Sequence, residues 1–172
     1  MQLHGLELTW LGHAATRIRM DDGTTIHIDP WLQGNPSCPD DEHTQDRSDA
    51  VFVTHGHFDH LSGTPDLARR HGARLHAIHE IAVWAEGIGI EDAVGSNKGG
   101  TVETIAGIEA TLVDAVHSSG ITGDDGIVPG GEAGGWVLAF PGGPTIYHAG
   151  DTAVFGDMAL IGELWKPDIA LL

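Results

Sequence analysis

Cysteine is nearly absent from this chain. Cys38 is the one thiol in 172 residues, so no internal disulfide can staple the fold. It lies in a Pro/Asp-rich stretch with nothing nearby to activate it, which argues against thiol chemistry. Lysine is almost as scarce: Lys98 and Lys166 stand among 8 basic residues, against 25 acidic ones, for a formal net charge of −17. Such a surface repels polyanions and argues against nucleic-acid processing. The same composition fits a salt-adapted organism or a simply acidic protein. Long apolar runs are missing as well. None approaches the roughly 20 residues of a membrane helix, so no membrane partner is expected. The opening Met1-Gln2-Leu3-His4-Gly5 lacks the basic-then-apolar pattern of a signal peptide, and a cytoplasmic setting is expected.

What remains is enough for one domain over residues 1–172, with 41% hydrophobic residues and no repeat or linker. Residues 6–10, 14–20 and 24–29 read as successive strands, the second and third joined by an Asp21-Asp22-Gly23 hairpin turn. Residues 35–48 are polar and proline-bearing, hence a loop, and 50–54 form a buried strand. A helix over 64–71 is punctuated by Thr64 as cap, Pro65 in the first turn and Gly72 as stop. A strand at 74–78 and a helix at 80–86 follow. Residues 102–105 and 109–116 read as a strand pair about Gly107, and 120–135 as a glycine-rich loop bordering the site. Strands at 136–140 and 145–148 flank a Pro-Gly-Gly-Pro turn. Apolar residues at helical spacing span 153–165, and 167–172 reads as a further strand. Strands interleaved with helices predict an α/β (α+β) two-sheet sandwich with helices outside.

The chemistry concentrates in His55-Gly56-His57-Phe58-Asp59-His60. Four ligand-type side chains follow an apolar strand, so His55 and His57 can build one metal site and Asp59 and His60 an adjacent one. Nitrogen and carboxylate donors suit zinc, with manganese or iron as alternatives.

This hexapeptide resembles the signature of the metallo-β-lactamase superfamily, and further motifs carry the resemblance along the chain. They are Val113 to Ser119 with His117, His148-Ala149-Gly150-Asp151-Thr152, and Thr25 to Pro30 ending in Asp29. Trp10-Leu11-Gly12-His13-Ala14, Asp29-Pro30-Trp31 and Gly34-Asn35-Pro36 make it similar to the metal-dependent hydrolases near L-ascorbate-6-phosphate lactonase. The resemblance implies an αββα sandwich. It places His55, His57 and His117 on a first metal and Asp59 and His60 on a second, with Asp151 bridging. Asp29 would brace the ligand loop, although a strand-end turn before Pro30 is the plain alternative. His13, Asn35 and His148 are expected at the substrate, with structural roles as the alternative for the two histidines. Two cations about 3.5–4 Å apart would bring a bridging water near neutral pKa, with Asp59 and Asp151 as the catalytic carboxylates.

The implied activity is hydrolysis of a small-molecule ester, lactone or phosphodiester. One departure qualifies it. The superfamily pattern brings a later histidine to the second metal, and 152–172 contains none. The expectation is therefore a fold whose C-terminal part is missing or supplied by another chain. The competing reading is a metal-binding subunit that needs a companion polypeptide, or a homo-oligomer, for activity.

Overall fold

The computed structural model describes residues 1–172, the side chain of Gln2 excepted. The chain opens as an antiparallel meander of β1 (Gln2–Leu3), β2 (Leu6–Gly12), β3 (Ala15–Met20) and β4 (Thr25–Ile28). Leu6, Leu8, Ile18, Ile26 and Ile28 are among its buried apolar residues. The sheet then changes character. β5 (Ala50–Phe52), β6 (Arg74–Ile78) and β7 (Ala93–Ser96) join it in parallel, in chain order. Parallel neighbours need crossovers: the loop 29–49 joins β4 to β5, α1 (Phe58–Leu61) and α2 (Thr64–His71) lie between β5 and β6, and α3 (His79–Gly87) between β6 and β7. β5 reads Ala-Val-Phe with every residue buried, as a strand covered on both faces must be.

The remainder builds a second sheet from β8 (Thr101–Glu103), β9 (Glu109–Asp114), β12 (Gly134–Ala139), β13 (Thr145–His148) and β14 (Ile169–Leu171). Between them lies a separate hairpin of β10 (Gly120–Gly123) and β11 (Gly126–Pro129), and α4 (Asp157–Trp165) precedes β14. The two large sheets close on one core. Ile18, Ile28, Phe52 and Leu75 of the first join Leu112, Trp136, Leu138 and Ile146 of the second. Hydrogen bonds cross between the layers, among them Trp136 Nε1 to the Val53 carbonyl (2.9 Å) and Gly134 N to the Thr54 carbonyl (3.0 Å). Leu67, Ile81 and Ala85 bury the helices on the outer side of the first sheet. Ile161 seats α4 against Val113, Val137 and Tyr147 on the second. The layers run helix, sheet, sheet, helix, which is the αββα sandwich the resemblance implies.

Local differences have local causes. Residues 120–135 are not a plain loop: Ile121 pairs with Val128 and Thr122 with Ile127 about an Asp124-Asp125 turn. Thr64 does not cap α2. Gly63 holds that position, where a Cβ would lie 1.7 Å from the Pro30 carbonyl oxygen, and Thr64 is buried within the helix. The strand expected at 102–105 stops at Glu103, where the chain turns through Ala106 at φ +53°. Helix α4 starts only at Asp157. The preceding segment is held to the end of β9 by Ala153 N to the Val116 carbonyl (3.1 Å) and Val116 N to Thr152 Oγ1 (2.9 Å).

Two histidines are buried in the first sheet. His27 contacts Ser48 Oγ and Gln45 Oε1, while His76 stacks on Phe52 with ring centroids 4.7 Å apart and neither nitrogen hydrogen-bonded. Burial pushes both down to about 4. The unfolded chain takes up these protons near pH 6.5 while the folded chain refuses them until about 4. Their contribution is therefore complete above 6.5 and is lost as pH falls through that window, up to about 3 kcal/mol each. His76→Phe keeps the stack and removes one titration. Urea unfolding of the metal-free protein is expected to lose less stability between pH 7 and 4.5 in this variant than in the parent. Equal losses would contradict the assignment.

Candidate active site

The ligand-type residues converge where strand ends of both sheets meet. Ala50–Phe52 delivers the loop of His55 and His57, and α1 begins directly after His57, turning Asp59 and His60 back toward the sheet. His117 comes from the loop after β9 and Asp151 from the loop after β13. Gly150 lets Asp151 in. At φ +61° it adopts a conformation costly for other residues, and a Cβ there would lie 2.6 Å from Thr54 Oγ1.

One buried carboxylate organises the cluster. Asp29 is inaccessible to solvent and accepts three hydrogen bonds: Thr54 N on Oδ1 (2.8 Å), and Thr54 Oγ1 (2.6 Å) and His60 Nδ1 (2.8 Å) on Oδ2. Burial opposes its ionisation, but the His60 and Thr54 hydrogen bonds and nearby histidine charge outweigh that and lower its pKa. An ionised carboxylate can only accept, so both His60 Nδ1 and the Thr54 hydroxyl must donate. Having given its one hydrogen to Asp29, Thr54 Oγ1 accepts from His55 Nδ1 at 3.0 Å. Both rings therefore carry a proton on Nδ1 and turn Nε2 toward the cluster. Asp29 pays for this in backbone strain, at φ +47°.

Those Nε2 atoms define two groups. His55 Nε2 lies 3.0 Å from His57 Nδ1, and ligand atoms of His55, His57 and His117 all fall within 4.8 Å of one another. Burial pushes His55 down to about 4, with the neighbouring His60 adding to the shift, so its ring is neutral at neutral pH. The second group is His13, Asp59 and His60, again within 4.8 Å. His60 Nε2 is buried without a hydrogen-bond partner and faces Asp151 Oδ1 at 3.4 Å. Burial alone would lower the His60 pKa, but the Asp29 hydrogen bond and the charges of Asp29, Asp151 and Asp59 raise it. A field that draws a proton to this nitrogen also draws a metal cation, which competes with it. Asp151 Oδ2 lies 3.7 Å from His117 Nε2, so the aspartate spans both groups. A third set, Asp29 with His55 and His60, is also close enough, but the Asp29 oxygens are already taken.

The structure places the other candidates unevenly. His13, at φ +53°, lines a cavity of about 580 Å³ with Trp10, Thr16, His148 and Asp151, and also reaches Asp59 Oδ2 at 3.5 Å. It therefore sits with the ligands rather than only with a substrate pocket. Its positive φ, uncommon outside glycine, is held by the Gly12-His13 turn. His148 lines the cavity, but its nitrogens are engaged: Nδ1 accepts from Gly150 N (3.2 Å) and Nε2 donates to the Ala14 carbonyl (2.9 Å). It ties the His13 turn to the Asp151 loop. Asn35 does not line the cavity. Its amide donates to the Trp31 carbonyl (3.0 Å) and accepts from Ser37 N (2.9 Å), which makes it a loop-shaping residue. Ser118 Oγ contacts His57 Nε2 at 3.1 Å, while Ser119 joins Gly56 N to the Gly130 carbonyl.

Comparison with known proteins identifies the family. The family described as "Beta-lactamase superfamily domain" matches residues 24–172. A "UPF0173 metal-dependent hydrolase" of Koribacter versatilis is 47% identical over the whole chain, which spans 73% of that relative. One from Methanopyrus kandleri is 47% identical over 97% of the chain and 71% of the relative. Among solved structures, Igni18, a metallo hydrolase from Ignicoccus hospitalis, superposes with TM-score 0.83 at 35% identity, covering 97% of this chain and 70% of the other.

Asp29→Asn keeps the shape but cannot accept from all three donors. Zinc affinity by calorimetry is expected to fall about 10–100-fold, with an unchanged far-ultraviolet spectrum. Unaltered affinity would contradict the bracing role.

Proposed function

The chain belongs to the β-lactamase superfamily, among its metal-dependent hydrolases, and from that premise we propose that it hydrolyses a small-molecule ester, lactone or phosphodiester at a two-cation centre. The observation that carries this reading is the His60 Nε2 atom, buried, without a hydrogen-bond partner, and aimed at a carboxylate 3.4 Å away. A buried lone pair facing an acidic oxygen is costly unless a proton or a metal cation lies between them, and a bound metal displaces the proton.

The donor set fits divalent zinc, with manganese or iron as alternatives. His55, His57 and His117 would hold one ion, His13, Asp59 and His60 the other, and Asp151 would reach both. Bound there, such ions supply a water of near-neutral pKa and polarise the attacked oxygen. The chain's own residues do the rest. Asp29 and Thr54 hold protons on His60 Nδ1 and His55 Nδ1, keeping both Nε2 atoms available. His148 fixes the His13 turn against the Asp151 loop. The 580 Å³ cavity beside His13 and Asp151 admits a small molecule. A formal charge of −17 weighs against a nucleic-acid substrate. The single buried cysteine accords with a cytoplasmic setting.

Two zinc ions per chain are expected by elemental analysis. Activity on an ester and lactone panel should vanish on exhaustive chelation and return with zinc. Asp151→Asn is expected to lower kcat by about a hundredfold or more, since even residues behind metal ligands cost 10–100-fold. Activity that persists in the stripped protein would overturn the reading.

A further inference from the structure

Asp29 settles the hydrogens of His55 and His60, but its hydrogen bonds do not reach His57. The two nitrogens of His57 have different neighbours. Nδ1 lies 3.0 Å from His55 Nε2, and Nε2 lies 3.1 Å from Ser118 Oγ. His55 keeps its hydrogen on Nδ1 for Thr54 Oγ1, so its Nε2 can only accept. Two lone pairs facing one another at 3.0 Å repel. Without a metal, the hydrogen of a neutral His57 ring therefore belongs on Nδ1, donated to His55. Its Nε2 is then an acceptor, and the Ser118 hydroxyl donates to it.

A bound ion demands the opposite arrangement. An ion shared with His55 Nε2 is met by His57 Nδ1, the nitrogen beside it, which must offer a lone pair. The ring hydrogen then belongs on Nε2, and Ser118 Oγ becomes the acceptor. A hydroxyl serves both arrangements by rotating, whereas a carboxylate could only accept and an amide N–H only donate.

The neighbouring serine holds Ser118 in place. Ser119 is 7% exposed; its Oγ accepts from Gly56 N (3.1 Å) and donates to the Gly130 carbonyl (2.9 Å). A Cβ on Gly56 would lie 2.7 Å from Ile121 Cγ1. The base of the β10–β11 hairpin is thus clasped to the ligand loop, which sets Ser118 against the His57 ring.

We infer that Ser118 is the positioning residue of the first ligand group, and that metal binding moves the His57 hydrogen from Nδ1 to Nε2 while Ser118 partners Nε2 in both states. One proton leaves Nδ1 for water and one enters Nε2 from water, so the ring stays neutral. The inference rests on the two-cation reading and deepens it.

The test records long-range proton–nitrogen spectra of His57 at mildly alkaline pH, without metal and with zinc, alongside zinc affinity by chelator competition. In the parent, the hydrogen is expected on Nδ1 without metal and on Nε2 with zinc. Ser118→Ala should weaken zinc binding by about tenfold and speed exchange of the Nε2 hydrogen with water, while Ser118→Thr retains both parent values. Zinc bound with the hydrogen still on Nδ1, or a hydrogen already on Nε2 without metal, overturns the switch alone. Affinity and exchange unchanged in Ser118→Ala overturn the positioning role. A parent that binds no zinc overturns the two-cation reading itself, and the switch with it.

Discussion

A carboxylate with no access to water and three donors pointed at it is the constraint on which the site depends. Asp29 closes the antiparallel part of the first sheet, and its backbone N–H donates to the Phe52 carbonyl at 3.0 Å. Its side chain then fixes Thr54 and His60, and through Thr54 it fixes His55. One residue thereby decides which nitrogen of two imidazoles faces the cluster. Leaving any of these donors unpaired in a buried place would cost about 1–3 kcal/mol, so the arrangement stands or fails as a unit.

The sandwich serves this arrangement by bringing strand ends from two sheets to one place. Thr54 receives the hydrogen bond of Gly134 from the opposite sheet, and Gly150 lies so close to Thr54 that a side chain could not be accommodated. Asp151 is thus positioned against a residue of the Asp29 relay itself. His148 adds a second tie from the same loop to the turn carrying His13. The backbone strain at Asp29 and His13 is concentrated at this junction, as expected where geometry is dictated by a site rather than by local preference.

Much of this was legible in the sequence because the relevant signals are local. The hexapeptide, the apolar strand before it and the Gly-Asp-Thr turn each declare their chemistry within six residues. The buried strands of the first sheet follow from short apolar runs bounded by turns. What escaped depends on contacts distant in the chain. Thr64 is a residue type that caps helices, but the cap falls at Gly63, which Pro30 approaches too closely for any side chain. Asn35 looks like a polar residue near a pocket, yet its amide is consumed by its own loop. The hairpin after Ser119 was masked by its glycines, since Gly120, Gly123 and Gly126 all lie within its two strands. His13 joins Asp59 and His60 just after a register shift between Trp10 and Gly12, an irregularity no periodicity predicts.

Long-range proton–nitrogen correlation spectra of the histidine rings, recorded as zinc is added at neutral pH, test the Asp29 relay most directly. The account predicts that His55 and His60 both carry their proton on Nδ1 in the zinc-loaded protein, and that their Nε2 resonances are the ones that shift with the metal. A proton retained on Nε2 of either ring would contradict it.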